Sequence, residues 1–355
     1  MRLGVAAAIV DGARVDGDVE VDDGRIAAVG LAGAGSGVAI PGLVDLQVNG
    51  FAGVDLLLEP ERAPELARAL ARTGVTAWQP TLITDAPERT LRALRTIAAP
   101  GAVGVHLEGP FLSPARSGAH PREHLRAPDP ELLRAFLDAG DVTTVTLAPE
   151  LDGALELVDE LVARGTCVSL GHSDATAEQA HAAFARGAST VTHLFNAMRP
   201  FGHRDPGLAG AALARDDVPV QLIADGVHLA AETAGVAWRA ARGRLAIVSD
   251  AIAAAGLGDG AYRLGDVEVL VAGGVSRRAD GTLAGGVATV VDGIRWLCGL
   301  GILLEEAVDA ATRVPARILR RDDLGTIAPG ARADVVVLDD ALDVTRVLAA
   351  GRPVD

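Results

Sequence analysis

Residues 142–195 read VTTVTLAPELDGALELVDELVARGTCVSLGHSDATAEQAHAAFARGASTVTHLF, and their pattern gives the clearest indication of the fold class. Short apolar runs at 142–149, 167–173 and 189–195 alternate with stretches of helical spacing, one of which, 154–165, ends at Gly165. Near-continuous apolar runs are typical of parallel strands that are covered on both faces. The stretch therefore indicates strands alternating with helices.

The same alternation continues on both sides of this stretch. A further helical segment lies at 63–74, and five more apolar runs bring the total to eight; they lie at 43–50, 74–81, 102–109, 219–226 and 245–251. Eight strand-plus-helix units predict an α/β fold of the (β/α)8, TIM-like barrel type.

The two ends of the sequence have a different texture. Residues 1–41 alternate apolar and polar side chains, with Asp-Gly pairs at 11–12, 16–17 and 23–24 that predict hairpins. The same texture returns after residue 322. We therefore predict one small β domain made of 1–41 and 323–355, with the barrel, 42–322, inserted between them. Residues 260–285 predict a β excursion after the eighth barrel strand.

Composition excludes several classes of function. With 49 % hydrophobic and 22 % charged residues, the 355-residue chain is globular, and its net charge of −15 disfavours nucleic acid and anionic membranes as partners. Apolar runs are too short to span a bilayer. The chain has no lysine, which excludes Schiff-base lysines and a carboxylated lysine between two metals. Two distant cysteines, Cys167 and Cys298, and a start without a signal-peptide pattern predict a cytoplasmic protein.

Polar side chains cluster where the apolar runs end. The carboxyl ends of barrel strands meet on one face, where active sites are built. Unpaired buried polar groups are costly, so this many polar strand ends indicate a functional site. The residues concerned are Gln47, Asn49, His106, Glu108, His172, His193, Asp225, His228 and Asp250.

Three of these residues form a natural metal-binding set. Glu108, His172 and His193 offer one carboxylate and two imidazoles and leave a position open for water, which is the pattern of catalytic zinc. His106 lies on the same strand face as Glu108 and is the nearest competing ligand. His181 lies in a helical stretch and is expected to be exposed.

Asp250 follows the eighth apolar run and is the candidate general base. A carboxylate beside a metal-activated water can accept its proton and pass it to a leaving amine. The alternative interpretation is that Asp250 is a strand-end residue that caps the next segment. Asp225 precedes Gly226, and we expect it to shape a turn.

These residues stand in strings that resemble the N-acetylglucosamine-6-phosphate deacetylase family of the amidohydrolase superfamily. The resemblance covers nearly the whole chain, and HLEGPF and THLFNAM are its most specific parts. The strings are PGLVDLQVNGFAGVD (41–55), HLEGPFLSPARSGAH (106–120), GHSDAT (171–176), THLFNAM (192–198), GHRDPGLAG (202–210), IADGVH (223–228), SDA (249–251), GTLAG (281–285) and the PG-x-x-AD string at 329–334.

The resemblance implies a barrel with a flanking β-sandwich, assembled as a homodimer, and a phosphosugar substrate. It implies that Glu108, His172 and His193 bind the divalent metal and that Asp250 is the acid/base. It further implies contacts to the sugar phosphate from Ala119, His120, Asn196, Ala197, His228 and the stretch Leu283, Ala284 and Gly285. Arg204 would hold the 6-phosphate, and in this family such an arginine can reach across the dimer interface.

One departure from the superfamily pattern concerns the first strand. Many amidohydrolases have His-x-His there and bind two metals, whereas this chain has Gln47-Val48-Asn49. Because amides are poor ligands for zinc, we predict one metal ion per subunit, with Gln47 and Asn49 holding water or substrate. Zinc is the first expectation, and iron, manganese or cobalt also suit two histidines and a carboxylate.

The reaction predicted is hydrolysis of N-acetyl-D-glucosamine 6-phosphate to D-glucosamine 6-phosphate and acetate. Deacetylation of the galactosamine epimer, or another amidohydrolase reaction on the same scaffold, remains an alternative, because the sequence does not fix the side-chain positions that select the epimer. A more remote alternative is a non-catalytic barrel that only binds a ligand. Such a protein would be expected to lose metal ligands or the acid/base, and all of them are present here.

Overall fold

A computed structural model describes residues 1–33 and 35–355. The strands of this part of the chain are β1 Ala7–Val10, β2 Ala13–Asp16, β3 Asp18–Asp22, β4 Arg25–Leu31, β5 Val38–Pro41, β6 Leu43–Val48, β7 Gly50–Phe51, β8 Val54–Asp55, β9 Val75–Ile83, β10 Val105–Glu108, β11 Val142–Leu147, β12 Cys167–Leu170, β13 Thr190–Val191, β14 Val220–Ile223, β15 Leu245–Val248, β16 Gly260–Leu264, β17 Val267–Ala272, β18 Val275–Arg277, β19 Val335–Leu338, β20 Val344–Ala349 and β21 Arg352–Pro353.

The α-helices are α1 Ala63–Ala71, α2 Pro87–Thr96, α3 Pro130–Ala139, α4 Ala154–Ala163, α5 Ala177–Ala185, α6 Gly207–Leu213, α7 Ala231–Ala240, α8 Val290–Gly299, α9 Leu304–Ala311 and α10 Arg313–Ile318, with short 3₁₀ helices at Pro60–Arg62, Pro114–Arg116 and Arg122–His124. None of these helices is long and apolar enough to serve as a membrane span.

Eight parallel strands form the barrel. Their order is β6-β9-β10-β11-β12-β13-β14-β15, which is the order of the chain. These strands are almost entirely buried because helices cover the outside of the barrel. In α4, for example, the buried residues Ala154, Leu157, Val158 and Leu161 form one face with helical spacing. The (β/α)8 prediction is confirmed.

A buried carboxylate joins the first and last barrel strands. Asp45 of β6 accepts hydrogen bonds from the Ser249 hydroxyl and, at 3.2 Å, from the Ser249 amide, directly after β15. A parallel bridge between Val48 and Ala251 continues this seam. Burial raises the pKa of Asp45 to about 6, and the hydrogen bonds from Ser249 and Gln47 limit the rise.

The β layers beside the barrel combine strands from opposite ends of the sequence. A six-stranded sheet has the order β2-β1-β5-β19-β20-β21, in which β5 pairs antiparallel with β19. The β3–β4 hairpin packs on this sheet: Val19, Val21 and Ile26 share a core with Ala39 and Val335. This is the flanking β-sandwich. The domain boundaries at 41/42 and 322/323 stay a prediction.

Two of the three Asp-Gly pairs form the expected hairpin turns. Asp11 and Gly12 join β1 to β2, and Asp23 and Gly24 join β3 to β4, all with positive φ as a type I′ turn requires. The hairpin predicted at 16–17 is wrong. There the chain leaves β2 and enters β3 in the other layer, because β2 pairs with β1 and β3 with β4.

Two further features position the site. The excursion predicted at 260–285 is the antiparallel sheet β16–β17–β18, which leans over the carboxyl end of the barrel. The sixth apolar run, 189–195, forms only the two-residue strand β13. The chain turns away from the sheet immediately afterwards, with positive φ at His193, Phe195 and Ala197.

Candidate active site

A cavity of about 300 Å³ lies at the carboxyl ends of the barrel strands. Its wall includes Glu108, His172, His193 and Asp250, which come from four different strand ends. A wider groove of about 800 Å³ adjoins it, bounded in part by Arg122 and Arg278. Gly118 and Thr282 border both spaces. The cavity is therefore the deep end of a depression that opens to solvent.

Three buried side chains converge at the bottom of this cavity. Glu108 is the last residue of β10, and His172 and His193 each follow a strand end by two residues. The Glu108 Oε1 atom lies 3.2 Å from His172 Nε2 and 2.9 Å from His193 Nε2, and the two Nε2 atoms are 3.0 Å apart. Both histidines have positive φ, which turns their rings inward from the strand ends.

The tautomer of His172 shows what this cluster is suited to hold. His172 Nδ1 donates to the carbonyl oxygen of Arg116 at 3.0 Å, so Nε2 of the neutral ring carries a lone pair. That lone pair faces a carboxylate oxygen and the second imidazole nitrogen. Two acceptors, the His172 lone pair and the Glu108 oxygen, thus face each other at 3.2 Å, which is repulsive unless a cation lies between them. Two imidazoles and one carboxylate, with room beside them, fit a divalent metal of the zinc type.

Within residues 1–33 and 35–355, Glu108, His172 and His193 form the one group of three or more potential ligand side chains close enough to share an ion. The cluster thus indicates a single metal site. His106, the competing ligand, faces the interior below it. Its Nδ1 lies 3.2 Å from the Leu46 carbonyl oxygen and its Nε2 lies 2.7 Å from the Thr146 hydroxyl, so both ring nitrogens are engaged elsewhere.

The two amides of the first strand support the acidic residues. Gln47 Nε2 donates to Glu108 Oε1 at 3.0 Å, and Asn49 Nδ2 donates to Asp250 Oδ1 at 2.8 Å. Gln47 is buried beneath the cavity, whereas Asn49 reaches its wall. At these two positions many amidohydrolases have histidine. In this chain the two amide side chains there hold the carboxylates of Glu108 and Asp250 in place.

Asp250 is a half-buried carboxylate with an unusual titration. Desolvation in the cavity and then the negative charge of Glu108 raise its pKa to about 8, and Asn49 lowers it only partly. A cation held by Glu108 would offset that charge and lower the pKa of Asp250 toward its ordinary value. Gly285 packs closely against the backbone of Asp250, because a Cβ at position 285 would lie 2.9 Å from the Asp250 carbonyl oxygen.

Two more histidines line the cavity with defined orientations. The Thr84 amide donates to His120 Nδ1 at 3.2 Å, so the neutral ring has its hydrogen on Nε2, which lies 3.5 Å from Glu108 Oε2. His228 Nδ1 lies 2.7 Å from Asp225 Oδ2. His120 therefore presents a ring N–H toward the metal cluster, whereas the Nδ1 of His228 points to a carboxylate.

Comparison with known proteins agrees with this arrangement. The sequence matches the model of the amidohydrolase family over residues 38–354. The chain belongs to the amidohydrolase family.

Two curated relatives of this amidohydrolase differ in their named substrate. Human N-acetylglucosamine-6-phosphate deacetylase is 40 % identical over 341 residues, covering 89 % of this chain and 83 % of the relative. N-acetylgalactosamine-6-phosphate deacetylase from Escherichia coli O157:H7 is 38 % identical over 356 residues, covering 95 % of this chain and 94 % of the relative.

Solved structures resemble the amidohydrolase along its full length. A mutant N-acetyl-D-glucosamine-6-phosphate deacetylase from Mycobacterium smegmatis, in complex with N-acetyl-D-glucosamine-6-phosphate, has a TM-score of 0.94 at 37 % identity and covers 100 % of this chain and 99 % of its own. The N-acetylglucosamine-6-phosphate deacetylase from Thermotoga maritima has a TM-score of 0.93 at 33 % identity, with the same coverage.

Most of the site residues predicted for this amidohydrolase lie together. Besides the metal cluster and Asp250, those at the cavity wall are Ala119, His120, Asn196, Ala197, His228, Leu283 and Gly285. Three others lie elsewhere. Gln47 lies beneath the wall, Ala284 is fully buried behind it, and Arg204 is on an exposed loop. Substrate binding by these residues stays a prediction.

Sequence reasoning missed the partners that orient the site residues. The Arg116 carbonyl sets the His172 tautomer and the Thr84 amide sets that of His120, and backbone groups leave no trace in residue type. The sequence predicts a turn at Asp225, and its Oδ1 does accept hydrogen bonds from the Val227 and His228 amides, both at 2.8 Å. Its second oxygen contacts the His228 ring, and the three-residue spacing in DGVH was the one available signal.

Proposed function

We propose that this amidohydrolase hydrolyses the acetamide of N-acetyl-D-glucosamine 6-phosphate to D-glucosamine 6-phosphate and acetate, with one divalent metal ion per chain. The observation that carries the proposal is the convergence of the metal cluster and Asp250 on one cavity. Curated relatives and solved structures named for this reaction support the choice of substrate.

Glu108, His172 and His193 would hold the metal. When bound, a divalent cation supplies Lewis-acid polarisation and lowers the pKa of water. Zinc suits two imidazoles and a carboxylate, and iron, manganese and cobalt are the other ions to test. Gln47 holds the Glu108 carboxylate from below with its Nε2–H, so that this ligand keeps its orientation.

Asp250 would move the proton. Asn49 engages Oδ1, which leaves Oδ2 free to act on the substrate. As a water oxygen forms a bond to the amide carbon, Asp250 accepts one of the water protons. As the C–N bond breaks, Asp250 gives that proton to the departing nitrogen, and acetate and the amine leave. Water thus supplies both the oxygen of acetate and the proton of the amine.

His120 is placed to stabilise negative charge on the carbonyl oxygen. Because Nδ1 accepts from the Thr84 amide, the ring is held as an Nε2–H donor directed toward Glu108 and the cavity. A fixed donor aimed at an oxygen that becomes negative lowers the barrier to acyl transfer. We assign His120 this role in the reaction.

We propose that the 6-phosphate is held by the loop after β13 together with Arg204. Asn196 and Ala197 of this loop reach the cavity wall, and Arg204 is an exposed arginine further along the same loop. Guanidinium groups are well suited to phosphate. We also propose that the chain forms a homodimer, so Arg204 acts either in its own chain or in the site of the second copy.

We further propose a cytoplasmic location. The free cysteines, Cys167 and Cys298, support it.

N-acetyl-D-galactosamine 6-phosphate is the second candidate substrate. The specific observation that favours it is the relative from Escherichia coli O157:H7, which aligns over 95 % of this chain. The two epimers differ only in the configuration of one hydroxyl group, so the chemistry at the metal cluster would be the same. The ratio of the two kcat/KM values identifies the preferred substrate.

The decisive experiment measures acetate release from N-acetyl-D-glucosamine 6-phosphate by the purified chain. Chelated protein is compared with protein to which zinc, iron, manganese or cobalt has been restored, and the galactosamine epimer and unphosphorylated N-acetylglucosamine are tested in parallel. Asp250→Asn serves as the catalytically impaired control. Metal-dependent activity that requires the phosphate supports the proposal. Metal binding without hydrolysis of either epimer would overturn it and favour a ligand-binding protein or a different amide substrate.

A further inference from the structure

Asp225 makes a second contact that its role in the turn does not require. Its Oδ1 accepts from the amides of Val227 and His228, which closes the turn after β14. Its Oδ2 lies 2.7 Å from Nδ1 of His228. The two side chains are only 7 % and 6 % exposed, so this pair is largely shielded from bulk water.

The contact sets the state of the imidazole. A carboxylate oxygen can only accept here, so His228 Nδ1 carries the hydrogen and donates it. Burial raises the pKa of Asp225, but the hydrogen bonds from the His228 ring and the two amides outweigh burial and hold this pKa below its usual value. An ionised carboxylate therefore faces the ring. It can neutralise a positive charge on the imidazole if Nε2 also takes up a proton.

The other edge of the His228 ring faces the cavity. His228 lines the cavity wall, and Nε2 has no hydrogen-bond partner within residues 1–33 and 35–355. The ring thus has one nitrogen fixed by protein and one nitrogen available to a ligand. Thr84 imposes the opposite arrangement on His120, whose Nδ1 accepts.

We propose that Asp225 is a positioning residue that holds His228 as an Nδ1–H donor and allows its Nε2 to carry a proton toward an anionic oxygen of the substrate. The inference rests on the proposed function. Two sources could supply that oxygen, the 6-phosphate or the carbonyl oxygen as it becomes negative during attack. Both would be stabilised by a cationic N–H donor with a buried counter-charge.

The test is a double-mutant cycle on the metal-loaded enzyme. Asp225→Asn keeps an oxygen for the two turn amides but places an N–H donor against His228 Nδ1, which forces the neutral ring to carry its hydrogen on Nε2 and removes the counter-charge. We expect kcat/KM to fall by about 10-fold, because the Nε2–H donor remains but the charge that strengthens its hydrogen bond is lost. In a His228→Gln background the same change should alter kcat/KM less than about 2-fold, because no imidazole remains to be positioned. Asp217→Asn, at an exposed carboxylate, is the control for a lost charge.

An equal loss in both backgrounds would show that Asp225 acts through the turn alone and would overturn the proposal. A loss below about 2-fold in the wild-type background would overturn it as well. The source of the oxygen follows from the substrates. A rise in KM limited to the 6-phosphate sugar identifies the phosphate, whereas an equal fall in kcat for phosphorylated and unphosphorylated sugars identifies the carbonyl oxygen.

A spectroscopic measurement keeps the inference independent of turnover. Imidazole ¹⁵N chemical shifts of the wild-type enzyme, with the His228 signals assigned by their loss in His228→Gln, report which ring nitrogen carries hydrogen. Protonated Nδ1 in the wild type, lost in Asp225→Asn, supports the proposal, and an unprotonated wild-type Nδ1 overturns it. If the wild-type enzyme releases no acetate from either epimer, the proposed function fails while this spectrum still decides the role of Asp225.

Discussion

The Asn49 side chain donates a hydrogen bond from Nδ2 to Oδ1 of Asp250 at 2.8 Å, across the seam between the first and last barrel strands. Val48, the last residue of β6, also forms a parallel bridge with Ala251, which follows Asp250. The hydrogen bond between Asn49 and Asp250 therefore lies at a rigid part of the barrel. One oxygen of Asp250 is fixed in consequence, and the other is presented to the cavity.

Replacement of Asn49 by Ala should lower kcat by about 10- to 100-fold, because Asp250 loses the donor that orients it. Asn49→Asp should be more damaging, since it places a second carboxylate against Asp250. Steady-state kinetics together with metal analysis checks this. Both variants should retain the metal, and a kcat of wild-type size in Asn49→Ala would contradict the prediction.

Asp250→Asn should bind metal with wild-type stoichiometry and lose about 10²- to 10⁴-fold in kcat, the range associated with general acid–base catalysis. The amide can still accept a hydrogen bond from Asn49, so the fold should be unchanged. Thermal unfolding of the metal-loaded protein is the control. Turnover within a few-fold of wild type would remove Asp250 from the proton path.

The metal content should be one ion per chain, held by Glu108, His172 and His193. His172→Ala should abolish stoichiometric binding, and chelation of the wild type should lower both its activity and its melting temperature, because a ligand that binds only the folded state stabilises it. Elemental analysis and calorimetry with added zinc measure these effects. His181→Ala, on an exposed helix position, is the matched control. Two ions per chain at full occupancy would contradict the single-metal site.

Asp45 should make stability depend on pH in a direction opposite to that of a typical salt-bridged carboxylate. Burial raises its pKa from 3.8 to about 6 in the folded state, so the folded protein binds this proton more tightly than the unfolded chain does. The resulting stabilisation is fully present below pH 3.8 and is lost as the pH rises through about 6.

Asp45→Asn removes this dependence, because the amide can still bond to Ser249 but does not ionise. The free energy of unfolding of wild type relative to Asp45→Asn should fall by up to about 3 kcal/mol between about pH 4 and about pH 7, which corresponds to the shift of roughly two pKa units. Urea unfolding at a series of pH values checks it. Asp16→Asn, at an exposed residue, should show no such trend, and a difference that is constant with pH would refute the prediction.

Arg204→Ala should raise KM for the 6-phosphate sugar by about 10-fold or more and leave the unphosphorylated sugar unaffected, because a charged hydrogen bond to phosphate is lost. Arg186→Ala, another exposed arginine, is the control. Mixing Arg204→Ala with Asp250→Asn subunits distinguishes the two placements. Activity recovered on mixing would show that the arginine serves the neighbouring copy, and no recovery would assign it to its own chain. An unchanged KM in Arg204→Ala would exclude it from phosphate binding.

Much of the fold can be predicted from the sequence, because buried strands require consecutive apolar residues that are visible locally. Each barrel strand is marked by a run of apolar residues, although the run at 189–195 forms only the two-residue strand β13. Glu108, His172 and His193 are conspicuous because they are polar side chains at the ends of such runs. The hairpin that the Asp16-Gly17 pair predicts is wrong because a turn signal is also purely local. A turn signal shows that the chain reverses but does not show which strands then pair.

The finer arrangement of the site depends on contacts between distant segments. His106 and Glu108 point to the same side of one strand, yet the Thr146 hydroxyl engages the first and the metal cluster includes the second. Likewise, Gln47 donates a hydrogen bond to Glu108, sixty-one positions away in the sequence. No periodicity encodes such pairings, so a sequence can supply the candidate residues but not the hydrogen bonds that assign their roles.

The pairing of β5 with β19 imposes an order on biosynthesis. Val38 to Pro41 are made early, whereas Leu338 to Val335, their partners, emerge only after the whole barrel has been translated. At about 5–20 residues per second, the nascent β5 edge waits roughly 15 to 60 seconds on the ribosome for its neighbour. An unpaired strand edge is a template for aggregation, and chaperone binding to the nascent chain during this interval would protect the β5 edge. Ribosome profiling of chaperone-bound chains would show whether that engagement ends when β19 emerges.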